Sequence, residues 1–143
     1  MRRLILVPIV LGSCHKNEPA PRSPEPGGGG AALAAQIEQG KQLYAANCAK
    51  CHGDAGQGTG KGPPVVGKDA FPQKPKSGAQ RDVEFHTAAD VFSWTSQHMP
   101  GDAPGTLSTD QYLAIFAFDL TANGSKLDKP LDGPAAQAIV LHP

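Results

Sequence analysis

Apolar residues recur at three- and four-residue steps from Ala31 to about Ala49, placing Leu33, Ile37, Gly40, Tyr44 and Cys48 on one face of a helix. The stretch lacks proline and is rich in Ala, Gln, Leu and Lys, all good helix formers. Gly40 costs about 1 kcal/mol relative to alanine in mid-helix. Its place on the apolar face predicts a second helix crossing there at close range. Ser108-Thr109-Asp110-Gln111 has the S-x-x-Q pattern of a capping box. It opens a helix through Tyr112, Leu113, Ile115, Phe116, Phe118 and Leu120, which Asn123-Gly124 ends as a left-handed cap. A shorter helix starts at Thr87-Ala88-Ala89-Asp90 and carries Val91, Phe92 and Trp94. It ends by Met99, because Pro100 disfavours helical backbone at the residue before it. No run alternates as a strand does, so the predicted class is all-α with much loop.

Outside these segments the pattern changes character. Met1-Arg2-Arg3 and the apolar run Leu4 to Leu11 read as the positive and hydrophobic regions of a targeting segment, too short to span a bilayer. The run leads into Leu11-Gly12-Ser13-Cys14, which resembles a bacterial lipobox. Residues 1–13 are therefore expected to be a lipoprotein-type signal peptide, with Cys14 as the lipid anchor. This places the protein outside the cytoplasm, in the periplasm or on the extracytoplasmic face of a bacterial membrane. An unpaired thiol there would otherwise be unusual. Residues 14–30 hold four prolines and then Gly27 to Gly30, a tether with almost nothing to bury. The folded domain is expected over residues 31–128, with 129–143 as a carboxyl-terminal tail.

Composition limits the partners. With 17 Gly, 14 Pro and few aromatics in 143 residues, a core of side chains alone would be thin. The formal charge is zero, and removal of Arg2 and Arg3 with a leader leaves 11 basic against 13 acidic residues. No long basic run argues for nucleic acid. Lys68, Lys74, Lys76 and Arg81, set against Asp69 and Asp82, form one cation-rich segment, read first as a solvated polar loop.

Cys48-Ala49-Lys50-Cys51-His52 carries the chemistry. C-x-x-C-H is the attachment signature of c-type haem: two thiols about one helical turn apart add to the vinyl groups as thioethers, and the next imidazole reaches the iron. A thioredoxin-like pair needs a βαβ context, and a structural zinc site needs two more soft ligands. Neither is visible.

From Gly40 to Gly124 the chain resembles a class I cytochrome c. Gly40 and Tyr44 match the Gly and aromatic residue of that family's N-terminal helix, and Cys48, Cys51 and His52 match its haem site. Gly62-Pro63-Pro64-Val65-Val66-Gly67 resembles its G-P-x-L-x-G loop, with Pro64 as a departure. Met99-Pro100 resembles its methionine segment, and Ile115 and Phe118 its C-terminal helix pair. The resemblance implies three to four helices wrapped around one covalent haem c and its iron. It implies His52 and Met99 as axial ligands and the Pro63 carbonyl as acceptor for the second His52 ring nitrogen. Trp94 would pack on the haem or donate to a propionate, or simply fill core. His98, adjacent to Met99, is the competing ligand; His86 is a weaker one, and His142 and His15 are read as surface and linker residues. The segment Met99 to Gly124 is also similar to small bacterial cytochrome domains that serve dehydrogenases.

Two function classes follow. With both axial positions filled, the protein is a one-electron carrier without a small-molecule substrate. It would take electrons from a dehydrogenase or quinol-oxidising complex and pass them to an oxidase or another haem protein. With Met99 absent or displaced, an open iron position would make a peroxidase-like enzyme or gas sensor. The carrier is the expected function, because no acid–base pair accompanies His98.

Overall fold

The computed structural model describes residues 28–142. Five helices follow in order: α1 (Gly29–Asn47), α2 (Ala49–His52), α3 (Ala88–His98), α4 (Thr109–Ala122) and α5 (Gly133–Ala138). Among the described residues the only extended pairing is an isolated bridge between Thr87 and Val140. The expected all-α class holds. The signal segment, Cys14, His15 and most of the tether lie outside the described residues.

α4 is the central helix. Tyr112 to Ala117, Asp119 and Leu120 are all buried, because α1 packs on one side of it and α3 on another. The α1–α4 contact explains Gly40. A Cβ built there would stand 1.9 Å from the Ala114 carbonyl oxygen and 3.1 Å from the Ile115 nitrogen. No non-glycine residue fits while the two backbones touch in this way.

Both predicted capping signals are in place. The Ser108 hydroxyl accepts from Gln111 N–H while the Gln111 side chain accepts from Ser108 N–H, at 3.3 and 2.8 Å. At the other end Ser125 N–H reaches Leu120 O and Gly124 N–H reaches Thr121 O, with Gly124 at φ +86°. This is the two-bond pattern of a glycine C-cap. α3 opens on Thr87 and Asp90 in the same reciprocal way.

Two boundaries differ from expectation. α1 begins at Gly29, two residues before Ala31, because Ala32 N–H already bonds Gly28 O at 2.9 Å. Residues beyond Lys129, set apart in the sequence as a carboxyl-terminal tail, pack on the rest of the domain. Leu131 and Ala136 are buried with Phe85, Val91, Phe116 and Leu120. Gln36 holds both the N–H and the carbonyl of Leu131, and His142 bonds the Phe71 carbonyl at 2.7 Å. The six-residue α5 escaped the periodicity argument because it is too short to show a period. Its local signal was Asp132, whose carboxylate caps Ala135 N–H, followed by Pro134 in the first turn.

The core is in two pieces. One joins Phe85, Val91, Leu113, Phe116 and Leu120 to α5; the other gathers Tyr44, Ala49 and Ile115 with Cys48, Val65 and Phe118 around them.

Candidate functional site

A cleft lies between the two core clusters. Cys48 lines it from the α1–α2 junction, Phe92, Thr95, Met99 and Pro100 from α3 and its end, Leu107 from the following loop, and Tyr112, Ile115 and Phe116 from α4. Ile115 belongs to one cluster and Phe116 to the other.

Local backbone chemistry builds the Cys48–His52 turn. Cys48 N–H closes α1 on Tyr44 O, and Cys48 O then accepts from both Cys51 N–H and His52 N–H at 3.1 and 2.9 Å. The motif is thus a single helical turn, α2, with its two cysteines unpaired among the described residues. Gly53 ends the turn, and Tyr44 Oη donates to Gly53 O at 2.8 Å from inside the core. Burial pushes the Cys48 thiol up to about 12, and the charges of Asp119 and Cys51 add to the effect. The side chain is therefore a thiol and not a thiolate at neutral pH.

The loop after α2 turns back beneath the imidazole. His52 Nδ1–H donates to Pro63 O at 2.7 Å, which leaves Nε2 as the nitrogen able to bind iron. Gly62 allows this approach: a Cβ there would stand 3.0 Å from Cys51 O and 3.2 Å from His52 Cε1. Thr59 ties the loop to Cys51 O and Gly62 O. Farther along, the Asn123 side chain donates to Val65 O and accepts from Gly67 N–H, so the end of α4 clamps the far side of the loop.

Met99 is the C-cap of α3, with extended backbone. Tyr112 Oη donates to its carbonyl at 2.5 Å, which anchors the residue to α4 while the side chain lines the cleft. Lys50 of α2 and Asp102 of the Met99 loop form an exposed ion pair that joins the two segments. That pair holds the Asp102 carboxyl below its ordinary range.

The remaining sequence candidates separate clearly. Trp94 is not among the residues lining the cleft; it packs edge-on to Phe85 and stacks on His98 at 4.6 Å. Its neighbour Thr95 takes the cleft position, because the 100° helical step turns Trp94 to another face. His98 is occupied by that stacking and by a bond from Nδ1 to Trp94 O at 2.7 Å. His86 faces Gln73 and Glu84. Arg81 is no part of a surface cation cluster. It is buried, donates to the carbonyls of Pro72, Gln73 and Val83, and lies 3.8 Å from the Phe85 ring centre. The sequence reading missed Tyr112 and Asn123 as builders of the site and Arg81 as a builder of the fold, since their roles depend on carbonyls that only the folded loops bring near.

The residues present suit haem c. Two thiols flank one helical turn, an imidazole has one nitrogen engaged and the other available, and a thioether lines an apolar cleft between two core clusters.

Comparison with known proteins agrees. The family described as cytochrome c oxidase, cbb3-type, subunit III matches residues 35–118. A thiosulfate dehydrogenase of Stutzerimonas stutzeri (strain A1501) is 48% identical over 93 residues, covering 62% of this chain and 26% of that protein. The crystal structure of the sulfane dehydrogenase SoxCD from Paracoccus pantotrophus matches with a TM-score of 0.57 and 31% identity, over 73% of this chain and 52% of that one. The chain thus spans about a quarter of the first relative and half of the second. With the fold and the donor set, these matches lead to one conclusion: the chain belongs to the cbb3-type cytochrome c oxidase subunit III family, as a mono-haem class I cytochrome c domain that carries covalent haem c.

Proposed function

We propose that this domain carries single electrons through a haem held by thioethers from Cys48 and Cys51, with His52 and Met99 as its axial ligands. Bound haem supplies the ferric/ferrous couple. The observation that carries the reading is the His52–Pro63 bond of 2.7 Å, together with an apolar cleft lined by both Cys48 and Met99. The Pro63 carbonyl fixes the ring plane and raises the basicity of Nε2. Tyr112 holds the Met99 backbone, so the thioether is oriented before it binds. A neutral sulfur ligand favours the ferrous state and raises the reduction potential. With both positions filled, no site is left for a substrate.

The electron donor is proposed to be a dehydrogenase that oxidises inorganic sulfur compounds. Support comes from two relatives, a thiosulfate dehydrogenase and a sulfane dehydrogenase. The chain would serve such an enzyme as a cytochrome subunit or as a separate carrier. The test is the absorption spectrum of the purified protein, oxidised and reduced, with and without carbon monoxide. A low-spin spectrum unchanged by carbon monoxide, together with reduction by a thiosulfate-oxidising dehydrogenase, is the expected result. A high-spin spectrum or a ready carbon monoxide shift would replace the carrier by a haem enzyme or gas sensor.

We infer further that acylated Cys14 tethers the domain to the extracytoplasmic face of a membrane, on the strength of Leu11-Gly12-Ser13-Cys14. Cys14→Ser is expected to move the protein from the membrane to the soluble fraction. Unchanged membrane retention would count against the anchor.

A further inference from the structure

One buried titratable group has no part in the electron-carrier reading. Asp119, on the inner face of α4, is 5% exposed. Its Oδ1 has no hydrogen-bond partner among the described residues. One turn before it stand Ile115 and Phe116, which line the Cys48–Met99 cleft. One turn after it stands Asn123, which clamps the loop that supports His52. The carboxyl therefore sits on α4 between the cleft and the loop beneath the imidazole. It is near enough for its charge to be felt at both Tyr44 and Cys48.

Among the described residues the surroundings offer it no counter-charge. From α1 the titratable neighbour is Tyr44, whose hydroxyl is engaged with Gly53 O. From the α1–α2 junction it is Cys48, a neutral thiol and, once attached, a neutral thioether. Asp54 in the loop after α2 is felt at Tyr44 as well and is of like sign. The charged groups of α3 and α5 are engaged at their own helix ends: Asp90 and Asp132 in caps, His98 on Trp94. Burial raises the Asp119 carboxyl well above its ordinary range, and among the described residues no charged neighbour opposes that effect.

We propose that Asp119 is a proton-binding site coupled to the haem electron, taking up one proton when the iron is reduced and releasing it when the iron is oxidised. The physical basis is charge. Ferric iron carries one positive charge more than ferrous iron, and in a low-dielectric interior that charge stabilises a nearby carboxylate. When an electron arrives from the donor protein, the attraction weakens and the carboxylate takes a proton from solvent. The step balances: one electron and one proton enter together, a carboxylate becomes a carboxylic acid, and the net charge of the interior is unchanged. Linkage makes the effect reciprocal, so the reduction potential falls as pH rises between the ferric-state and ferrous-state values of this carboxyl.

The inference rests on the haem lying in the cleft, and its test is separable from the ligand assignment. Loss of Met99 ligation appears as carbon monoxide binding, whereas proton coupling appears in the pH profile. The experiment is a redox titration of the full-length haem protein from about pH 5 to about pH 10, a span that covers ordinary and strongly raised carboxyls. For the wild type the potential is expected to fall across a window with a slope approaching about 59 mV per pH unit, the one-electron value for a tenfold change. Asp119→Asn is expected to be flat there, at the low-pH potential of the wild type. Redox-difference infrared spectra give a readout that needs no variant. Reduction within the window should create the carbonyl band of a carboxylic acid, shifted in heavy water. A flat wild-type profile, a slope that persists in Asp119→Asn, or the absence of that band would overturn the proposal. A persisting slope would assign the titration to another group.

Discussion

Gly40 is one hydrogen atom wide because another backbone occupies the space beside it. In an open helix, Gly→Ala gains about 1 kcal/mol from propensity. At position 40 the new methyl meets a carbonyl oxygen at 1.9 Å, and backbone cannot move aside as the end of a side chain can. Overpacking of this kind costs about 1–3 kcal/mol or more, so it outweighs the propensity gain. Gly40→Ala is expected to lower stability by about 2 kcal/mol in denaturant unfolding. Gly30→Ala, in the same helix with nothing within 4 Å of its Cβ, is expected to be neutral or stabilising. Equal effects at the two positions would refute the close crossing. Single residues of this kind were legible in the sequence. A glycine on the apolar face and a C-x-x-C-H turn are local signals, and their meaning survives without coordinates. Arg81 was not legible, because its partners are three carbonyls of an irregular loop.

At the scale of elements, local chemistry decides where helices start and stop. S-x-x-Q, the T-x-x-D of Thr87–Asp90 and Asn123-Gly124 all mark ends that the structure shows. Asp90 adds a pH dependence. Its carboxylate accepts from Thr87 N–H at 2.7 Å and His86 N–H at 3.0 Å, and these bonds hold its pKa below the ordinary value. A depressed carboxyl contributes stability that is present above the unfolded value near pH 4 and lost as pH falls through the lower folded value. Asp90→Ala is therefore expected to cost about 1 kcal/mol at neutral pH, with the gap to wild type closing in acid below the folded value. A gap that stayed constant through that range would show that packing, and not the ionised cap, is what the substitution removes. The element that escaped the reading was short. α5 spans six residues, less than two turns, so no hydrophobic period could reveal it, whereas the four-residue α2 was marked by its C-x-x-C-H turn. α5 depends on burial of Ala136 and Leu131 against α3 and α4 for its place.

At the scale of the whole molecule, the first long helix and the last long helix of the domain touch across the interval between Gly40 and Ala114. The residues proposed to bind iron come from either side of the stretch Lys74 to Gln80: His52 from the N-terminal part, Met99 from the C-terminal part. Further ties join the two parts, among them those from Asn123 to Val65 and Gly67, from Gln36 to Leu131, from His142 to Phe71, from Arg81 to Pro72 and Gln73, and from Lys50 to Asp102. The covalent link between the halves runs through Lys74 to Gln80, where every residue but the half-buried Pro75 is exposed. Chain continuity there contributes little that the folded contacts do not already supply. The cytochrome is, in effect, a two-piece assembly closed into a ring. An engineered cut between Lys76 and Ser77 is expected to leave both pieces bound under native conditions. The haem stain should stay with the N-terminal piece, and the spectrum should still be indifferent to carbon monoxide. Separation of the pieces after the cut would mean that the ring is held by its backbone and not by its helices.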